Sequence, residues 1–503
     1  MTIDPHPSRQ RRALVVGGGP VGALTARSLH QRGWKVELWE GRDDPRGRSI
    51  AMTNLRSINL NISSRGLAAL ASVDESLAEL LLAESIPMPS RMIHHVDGRT
   101  EAQLYDPLRG QCSNSISRSV LNQRLVEVLP AAVETHFNTR LDRVDFAKNT
   151  AHGLTTAKGA AIGEETTSVK ESAKPTTVTT TFDLIVGADG SWSRVRQQVL
   201  RASRVDFSQT FIPHGYIELH MPPKDGEFAM PPNHLHIWPR ESFMLIALPN
   251  KDNSFTLTLF APFADIEQVR TREQATAFFT RYFPDAFAIV GDKMVDDFLN
   301  NPRGNLVTIK ANPSTLGDKA VLLGDASHSM VPFYGQGLNC GLEDVRVLGT
   351  YLDNYGVTGT TDEPLGTADP TLRAALDAFS AERAEDLDAI RDLALNNYVE
   401  MRSSVLKPLY HLRRGLDWVL TRVYPSTPQA IDPRVPFSTK KVRGWTSLYD
   451  MVTFRPDIGY AEALRREKWQ KSVVGGAAWA TAAVAAAGVA VVGIQAYRAF
   501  ERR

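Results

Sequence analysis

Hydrophobic and polar positions near the start of the chain predict two strands with a helix between them. Ala13–Val16 is a short apolar run that ends at a cluster of glycines. From Val21 to Gln31 the apolar residues recur at helical spacing, and Lys35–Trp39 is a second strand-like run that ends at Glu40. This order is typical of a β-turn-α-β unit with parallel strands.

The pattern changes along the rest of the chain. Short strand-like runs dominate from about residue 204 to residue 309, and they are interrupted by a helical pattern over Glu273–Tyr282. Residues 319–323 form one more buried strand pattern, and a helix is predicted to begin near Gly337. Residues 370–425 have helical periodicity. The chain therefore combines a parallel α/β unit, a sheet-rich segment and a helical C-terminal region.

Composition excludes several classes of protein. The 503 residues include 57 Lys and Arg against 56 Asp and Glu, which argues against a nucleic-acid partner held by bulk charge. Cys112 and Cys340, the two cysteines, cannot build a disulfide framework, a Cys-rich zinc site or a CxxC redox pair. His234 and His236 alternate on one predicted strand, but the sequence offers no third ligand, so we predict no metal site.

A glycine pattern stands between the first strand and the first helix. In Gly17-x-Gly19-x-x-Gly22 the first glycine permits a tight turn, the second lets the backbone approach a pyrophosphate, and the third lets the helix pack on the strand. The helix start supplies unpaired N–H groups for the phosphates. Glu40 ends the second strand, where an acidic residue accepts hydrogen bonds from a ribose. The pattern predicts a dinucleotide site, with a structural turn as the alternative.

Two further segments favour FAD as the dinucleotide. Residues 183–196 (DLIVGADGSWSRVR) run from a strand through a tight turn into a basic helix start, and residues 321–339 (VLLGDASHSMVPFYGQGLN) run from a strand through a glycine-rich turn into a helix. They resemble the DG and GD motifs of the single-component flavin aromatic hydroxylases, the class A flavin monooxygenases. The resemblance implies non-covalent FAD and NADPH as a co-substrate.

In that class, the residue matching Asp325 bonds the ribitol, the glycine-rich turn brackets the isoalloxazine, and the DG motif contacts the flavin and NADPH. The residues predicted to bind the cofactor are Gly17, Gly19, Gly22, Glu40, Arg42, Arg118, Asp189, Arg194, Asp325, Pro332, Gly335, Gly337, Leu338 and Asn339.

Motifs outside the cofactor site resemble those of the kynurenine 3-monooxygenase family, in a eukaryotic, fungal-like form. Residues 56–66 (RSINLNISSRG) are similar to its RSINLALSxRG element, residues 86–94 to its IPMxxRMIH run, and residues 115–118 to its SISR. Residues 396–402 and 448–454 are similar to its NYxEMR and LYxMVTF signatures. The matches extend over nearly the whole chain.

This second resemblance assigns the substrate contacts. It implies that Arg91 forms a bidentate pair with the amino-acid carboxylate of kynurenine, with Tyr105 beside it and Asn397 and Tyr449 as the other polar contacts. By residue type alone, Arg91 would as readily be a surface arginine and the two tyrosines packing residues. No catalytic acid or base is assigned, since the flavin carries the chemistry.

The resemblance also implies the reaction. NADPH- and O₂-dependent hydroxylation of L-kynurenine to 3-hydroxykynurenine, through a flavin C4a-hydroperoxide, is a step of tryptophan degradation and of de novo NAD synthesis. The protein has to position the ring, exclude water and pair the carboxylate. One alternative is a membrane-associated flavin monooxygenase that acts on another phenol or lipid. Another is a non-catalytic, flavin-bearing, tail-anchored regulator.

Together these motifs predict an α/β fold. It comprises a Rossmann-type FAD-binding domain, an inserted β-sheet substrate domain, a C-terminal helical region and a C-terminal transmembrane helix. The FAD-binding domain is predicted to comprise residues 10–85, 110–200 and 305–365, with a low-complexity insertion at 150–181. The substrate domain is predicted to comprise residues 86–109 and 201–304. The helical region is predicted at 366–465 and the membrane anchor at 472–497.

The membrane anchor is predicted from charge and length. Residues 472–497 contain no charged residue, and seven basic residues flank them. A spanning helix needs about 20 mostly apolar residues, so the length suffices, and an Ala-rich packing helix is the alternative. Eukaryotic members of the family resemble this chain in carrying such a segment. The resemblance implies the mitochondrial outer membrane, with the catalytic domain facing the cytosol.

Overall fold

The computed structural model describes residues 8–47, 59–156, 175–402, 408–437 and 442–475. The strands are β1 Arg9–Gln10, β2 Arg12–Val16, β3 Lys35–Trp39, β4 Asn59–Ile62, β5 Ile86–Met88, β6 Ser90–His94, β7 Thr100–Leu104, β8 Ser113–Ser117, β9 Glu134–His136, β10 Thr139–Asp145, β11 Thr150–Thr155, β12 Thr176–Thr181, β13 Leu184–Gly187, β14 Asp206–Met221, β15 His234–Arg240, β16 Phe243–Pro249, β17 Phe255–Pro262, β18 Gly304–Asn312, β19 Thr315–Leu316, β20 Ala320–Leu322 and β21 Thr360–Thr361.

The helices are numbered in the same way, and a 3₁₀ turn (Pro332–Tyr334) and a helical stretch at residues 460–475 complete the set. They are α1 Pro20–Gln31, α2 Ser64–Val73, α3 Glu75–Ala83, α4 Arg118–Glu127, α5 Arg194–Ala202, α6 Phe263–Ile266, α7 Arg272–Tyr282, α8 Pro284–Val290, α9 Asp292–Asn300, α10 Asp325–His328, α11 Gly337–Asn354, α12 Pro370–Arg402, α13 Pro408–Val423 and α14 Leu448–Phe454.

A six-stranded sheet in the order β19-β20-β13-β2-β3-β9 forms the first layer. Its strands from β20 to β9 are parallel, and β19 pairs antiparallel at one edge. Its central strands are continuous apolar runs because the sheet is covered on both faces, as is usual for parallel sheets. The glycine turn lies at the carboxyl end of β2, the edge at which α/β sheets bind ligands.

A seven-stranded sheet in the order β18-β14-β17-β16-β15-β6-β7 forms the second layer. Its pairs are antiparallel except for β15 with β6. Helices α7 to α9 cover one face with an aromatic and aliphatic core. The sequence placed residues 305–312 in the FAD-binding domain, whereas β18 pairs with β14 and extends the second sheet to Asn312.

The ends of the predicted insertion are ordered strands. β11 and β12 join β10 in a three-stranded antiparallel sheet. Residues 157–174, the middle of that insertion, lie outside the described residues. The described ends therefore form a hairpin that is attached to the first layer through β10.

The predicted transmembrane helix is the part of the fold prediction that the structure contradicts. None of the helices in the described ranges has the length and apolar character needed to cross a membrane. Of the predicted segment, residues 472–475 end the last described helical stretch, and residues 476–497 lie outside the described residues. The described fold is the α/β fold with its helical C-terminal region and without a spanning helix.

A buried ionic network fixes the C-terminal region to the first layer. The Arg65 guanidinium is fully buried and lies 2.6 Å from the Glu343 carboxylate. It also donates to the backbone carbonyls of Ile458, at 2.8 Å, and Arg455, at 3.1 Å. Arg383 of α12 reaches the second oxygen of Glu343 at 3.0 Å. One carboxylate thus joins α2, α11, α12 and the chain after α14.

We expect Arg65→Met to lower the free energy of unfolding by about 3–5 kcal/mol, because it leaves a buried carboxylate short of one partner. Urea denaturation of the FAD-loaded protein would measure the change. The matched control is Arg373→Met, which removes an exposed pair with Asp377 and should leave the unfolding curve unchanged. Equal curves for both variants would contradict the importance of the buried network.

Candidate active site

One continuous cavity of about 1060 Å³ is lined by residues from both layers. All four predicted substrate residues line it, and so do the predicted cofactor residues except Gly22 and Asn339. The structure therefore brings residues that are more than 400 positions apart in sequence, such as Gly17 and Tyr449, to the wall of the same chamber.

The glycine turn forms a cradle at one end of this cavity. Gly17 has a φ of +105°, and a Cβ there would lie 2.3 Å from the Ala188 carbonyl oxygen. A Cβ at Gly22 would lie 1.9 Å from the Gly17 carbonyl oxygen, so Gly22 serves helix packing. Gly19 caps α1, and a Cβ there would meet no atom within 4 Å. The N-terminal N–H groups of α1 are thus open to a pyrophosphate.

Glu40 lies beside this cradle, and its carboxylate is hydrogen-bonded to Gly18 and Arg42. Its carboxylate accepts from the Gly18 N–H at 2.7 Å, and from the Arg42 N–H at 2.8 Å and Nε at 2.9 Å. Burial by itself would raise the pKa of Glu40, but the hydrogen bonds and charge of Arg42 lower that pKa on balance. The carboxylate is therefore ionised and held in place, as an acceptor for ribose hydroxyls has to be.

Asp325 follows β20 and points its carboxylate toward the cavity. The residue is exposed to the chamber and makes no hydrogen bond to the described part of the chain. A carboxylate at this position has its full accepting capacity left for a ligand with several hydroxyl groups. It fits the ribitol contact that the sequence predicts.

The glycine-rich turn after Asp325 is shaped by its backbone. Gly335 has a φ of +66°, in the left-handed region, and a Cβ there would lie 3.0 Å from Asn61 Nδ2. The Asn339 side chain is buried, accepts from the Ser63 N–H at 2.9 Å and donates to the Asn61 and Gly335 carbonyls at 2.8 Å. Its side chain therefore holds the turn, and the assignment of Asn339 to the cofactor site stays a prediction. Pro332, Gly337 and Leu338 line the cavity.

Two charged residues of the DG motif, Asp189 and Arg194, line the cavity, and Asp189 also has a structural role. Asp189 bonds the start of α5, where its carboxylate accepts from Ser193 Oγ at 2.5 Å and from the Arg194 N–H at 2.7 Å. Burial raises the pKa of Asp189, with the same hydrogen bonds opposing the shift. Arg194 and Arg118 line the cavity from the starts of α5 and α4.

Arg91 lies at the other end of the chamber. It projects from β6 and is 8% exposed; its Nε donates to Gln103 Oε1 at 3.0 Å, and its Nη2 bonds the Tyr410 hydroxyl. Glu400 Oε1 lies 3.9 Å from Nη2. A buried guanidinium with one weak carboxylate contact is suited to bind a carboxylate from a ligand.

Two tyrosines form the wall next to Arg91. The rings of Tyr105 and Tyr449 stack with centroids 5.0 Å apart and planes 11° from parallel. Burial raises the pKa of Tyr105 well above its ordinary value, and burial also raises that of Tyr449 against the opposing charge of Arg91. Both hydroxyls therefore stay protonated and can donate hydrogen bonds to a ligand anion.

Asn397 connects the helical region to the glycine-rich turn. Its Nδ2 donates to the Phe333 carbonyl at 2.8 Å. The middle of the cavity is apolar and is supplied mainly by β15, β16 and β17. The side chains that line it there are Leu235, Ile237, Met244, Ile246, Leu248 and Phe260.

Sequence reasoning missed three polar residues around Arg91, namely Gln103, Glu400 and Tyr410. The register of the β6–β7 hairpin places Gln103 opposite Arg91, so a hairpin prediction could have found it. Glu400 lies inside a quoted motif, three positions after Asn397. Tyr410 is 319 positions from Arg91, and no local pattern connects the two.

The residues present fit FAD. A glycine cradle at a helix N-terminus, an ionised ribose acceptor and an uncommitted Asp325 line the same chamber, and they match the groups that hold the parts of the dinucleotide. Within the described residues, His328, Cys340 and Asp344 have side-chain atoms close enough to share a metal. Arg383 lies 2.9 Å from Asp344 and 3.3 Å from Cys340 Sγ, and that positive charge disfavours a metal ion there.

Comparisons with known proteins agree with this architecture. Residues 10–365 match a family model described as an FAD binding domain. The structure is similar to 2-methyl-3-hydroxypyridine-5-carboxylic acid oxygenase (TM-score 0.58, 21% identity, 80% of this chain and 95% of that one). It is also similar to PqsL of P. aeruginosa (TM-score 0.59, 18% identity, 78% and 97%). The fold is that of the FAD-dependent aromatic hydroxylases, and the FAD prediction is confirmed.

Proteins with similar sequences show which family of FAD-dependent enzymes the chain belongs to. A kynurenine 3-monooxygenase of Cryptococcus neoformans var. neoformans serotype D is 60% identical over 490 residues, which cover 96% of this chain and 97% of the relative. A kynurenine 3-monooxygenase of Candida albicans is 40% identical over 471 residues, covering 92% and 93%. The chain belongs to the kynurenine 3-monooxygenase family, which confirms the resemblance read from its motifs.

We expect Asp325→Ala to weaken FAD binding about tenfold or more, because a charge-assisted hydrogen bond contributes about 1.5–3 kcal/mol. Titration of the apoprotein with FAD, followed by flavin fluorescence, would measure the dissociation constant. Asp142→Ala, at an exposed position of β10, is the control and should bind FAD as the unaltered protein does. Unchanged FAD affinity in Asp325→Ala would remove this carboxylate from the cofactor site.

Proposed function

We propose that the chain hydroxylates L-kynurenine at ring position 3, with FAD as its cofactor and NADPH and O₂ as co-substrates. The observation that carries the proposal is that one chamber joins the dinucleotide cradle to a buried arginine, in a chain 60% identical to a named kynurenine 3-monooxygenase. Kynurenine has an amino-acid carboxylate at one end and an aromatic amine at the other. The chamber offers Arg91 at one end and an apolar middle section. The relatives do not favour the alternatives of another phenol or lipid substrate or of a non-catalytic regulator.

The arginine end of the chamber binds and orients the substrate. Arg91 pairs with the carboxylate, and the Tyr105 and Tyr449 hydroxyls donate to it. The protonated state of both tyrosines avoids a second negative charge beside that carboxylate. Because Arg91 is fixed on a strand between β7 and β15, the substrate ring is held at a set distance along the cavity.

The apolar middle of the chamber protects the reaction from water. FAD supplies the redox and oxygen-activating chemistry when it is bound. Ile237, Met244 and Phe260 line the same chamber as the glycine-rich turn and Arg91, and apolar side chains there exclude the water that would divert the activated oxygen. The substrate's own amino group activates the neighbouring ring carbon, so the protein has to supply no strong base there.

The direct test is NADPH oxidation by the purified, FAD-loaded protein. L-Kynurenine should stimulate NADPH consumption, and 3-hydroxykynurenine should accumulate in step with it. Phenol and a fatty acid serve as comparison substrates. NADPH consumption that L-kynurenine does not stimulate would contradict the substrate, and stimulation without a hydroxylated product would contradict the reaction.

Arg91→Met should raise the KM for L-kynurenine by about 10- to 100-fold, because a buried charge-assisted pair contributes about 1.5–3 kcal/mol. The change should fall on KM, since the carboxylate lies away from the reacting carbon. FAD content should stay constant. Arg99→Met, at an exposed arginine on the turn after β6, is the control and should keep the ordinary KM. A kcat loss with an unchanged KM would argue against carboxylate binding.

We also propose that the protein is located at the mitochondrial outer membrane with its catalytic domain toward the cytosol. Support comes from the resemblance to eukaryotic members and from Arg465, Arg466, Lys468 and Lys471 near the end of the described chain, since basic clusters favour anionic membrane surfaces. Fractionation of cells that make the tagged protein should find it with mitochondria and sensitive to added protease. Recovery in the matrix, or away from mitochondria, would contradict the proposal.

A further inference from the structure

A buried glutamine on the neighbouring strand contacts the Arg91 guanidinium. The register of β6 and β7 places Gln103 directly opposite Arg91, and side chains opposite each other in an antiparallel pair lie on the same face of the sheet. Gln103 Oε1 accepts from Arg91 Nε at 3.0 Å. Gln103 is 3% exposed, and it is not one of the residues that line the cavity. It therefore touches Arg91 without entering the space in which a ligand binds.

The orientation of the Gln103 amide is determined by its two partners. Its Nε2 donates to Glu101 Oε1 at 2.8 Å, and its Oε1 faces Arg91 Nε. A carboxylate only accepts hydrogen bonds, and a guanidinium only donates them. The reversed amide would place its NH₂ group against Arg91 and its oxygen against Glu101, so neither hydrogen bond would form. Gln103 thus presents its oxygen, and not its NH₂ group, to Arg91.

This contact determines which edge of the guanidinium is left for a ligand. A guanidinium binds a carboxylate with two parallel hydrogen bonds, either through Nε and Nη2 or through Nη1 and Nη2. Gln103 occupies Nε. Nη2 bonds the Tyr410 hydroxyl with one of its two N–H groups, and Nη1 makes no hydrogen bond to the described part of the chain. A two-point pair with a ligand carboxylate therefore has to use Nη1 and Nη2.

The hydrogen bonds from Glu101 through Gln103 to Arg91 also keep a negative charge away from the guanidinium. The Glu101 side chain is 42% exposed and lies 3.9 Å from His95, so water screens its charge. The Gln103 amide carries no charge. A carboxylate in its place would pair with Nε and Nη2 and offset the buried charge that a ligand carboxylate needs. With a neutral Gln103, the weak contact with Glu400, 3.9 Å from Nη2, leaves most of the Arg91 charge for a ligand.

We infer that Gln103 is a positioning residue for the substrate: it directs the Nη1 and Nη2 edge of Arg91 to the substrate carboxylate and, being neutral, leaves the charge of Arg91 for that carboxylate. Gln103 acts through Arg91, so it changes the affinity for carboxylate ligands and not the chemical step. A ligand with the same ring system and no carboxylate does not depend on this contact. The inference rests on the proposed function, because it takes L-kynurenine as the ligand of Arg91.

The test compares the dissociation constants of two ligands for the FAD-loaded protein and its variants, followed by the change in flavin absorbance without NADPH. The ligands are L-kynurenine and kynuramine, its decarboxylated analogue. Gln103→Leu removes the acceptor for Arg91 Nε. The double variant Glu101→Gln with Gln103→Glu keeps the net charge and the number of polar groups, but it moves the carboxylate onto Arg91. Glu101→Gln alone is the matched control, since an amide oxygen still accepts from Gln103.

Gln103→Leu should bind L-kynurenine about three- to tenfold more weakly than the unaltered protein, because one net hydrogen bond no longer fixes Arg91. The double variant should bind it about 10- to 100-fold more weakly, as Arg91→Met does, because the new carboxylate offsets the same charge. The control should bind L-kynurenine as the unaltered protein does. Kynuramine affinity, FAD content and kcat with L-kynurenine should stay constant in every variant.

Equal losses of affinity for L-kynurenine and kynuramine would mean a merely structural role for Gln103 and would overturn the inference. Unchanged L-kynurenine affinity in Gln103→Leu or in the double variant would overturn it as well, and so would a loss of kcat at unchanged affinity. If the unaltered protein binds no L-kynurenine, the proposed function fails and the inference fails with it.

Discussion

The fold depends on two adjacent carboxylates in α11 that are almost completely buried. Glu343 and Asp344 would be unstable there without compensation, since desolvating a charge costs several kcal/mol. Arg65 and Arg383 supply that compensation from α2 and α12. Burial would raise the pKa of Glu343, but the surrounding arginines lower it on balance. Each partner comes from a different part of the chain, so satisfying these charges also determines how those parts meet.

The position of the cavity wall that carries Tyr449 follows from these buried ion pairs. Arg65 donates to backbone carbonyls around the end of α14, and α14 carries Tyr449. The same α11 begins at the glycine-rich turn that lines the cavity. The first turn of α11 thus lies at the cavity wall, and its buried acids are bonded to Arg65 and Arg383, which contact the C-terminal region. The cavity is thus a consequence of the ionic network as much as of the two sheets.

The sequence predicted the parts of the site that local patterns encode. The glycine turn between β2 and α1 and the acidic end of β3 were visible because strand, turn and helix follow each other within thirty residues. The motifs around Arg91 and Asn397 were visible only through a family resemblance. Tyr410 escaped because its contact with Arg91 joins distant segments with no shared pattern. Asn339 is a predicted cofactor residue, and the spacing of the motif does not reveal that its side chain bonds its own turn.

The prediction of a C-terminal transmembrane helix was wrong for a related reason. A chargeless run of suitable length is a property of composition, and the described chain contains no helix that could cross a membrane. The boundary at β18 differed because its pairing partner, β14, lies about a hundred residues earlier in the chain. Strand pairing over such distances depends on the register of both strands, which a pattern read along one segment does not contain.

The parallel pairing of β6 with β15 has a consequence for how the chain acquires its structure. The strand that carries Arg91 pairs with β15, which lies 144 positions further along the chain. By contrast, β2, α1 and β3 pack together within the first forty residues. Closing so long a loop carries a large entropic cost before any contact repays it, and topologies rich in such pairings fold slowly. On a ribosome, the glycine cradle can form early, while the arginine end of the chamber stays incomplete until residue 237 has emerged. The two ends of the cavity thus form at different times. Until β15 is available, the unpaired edge of β6 is open to pairing with another chain.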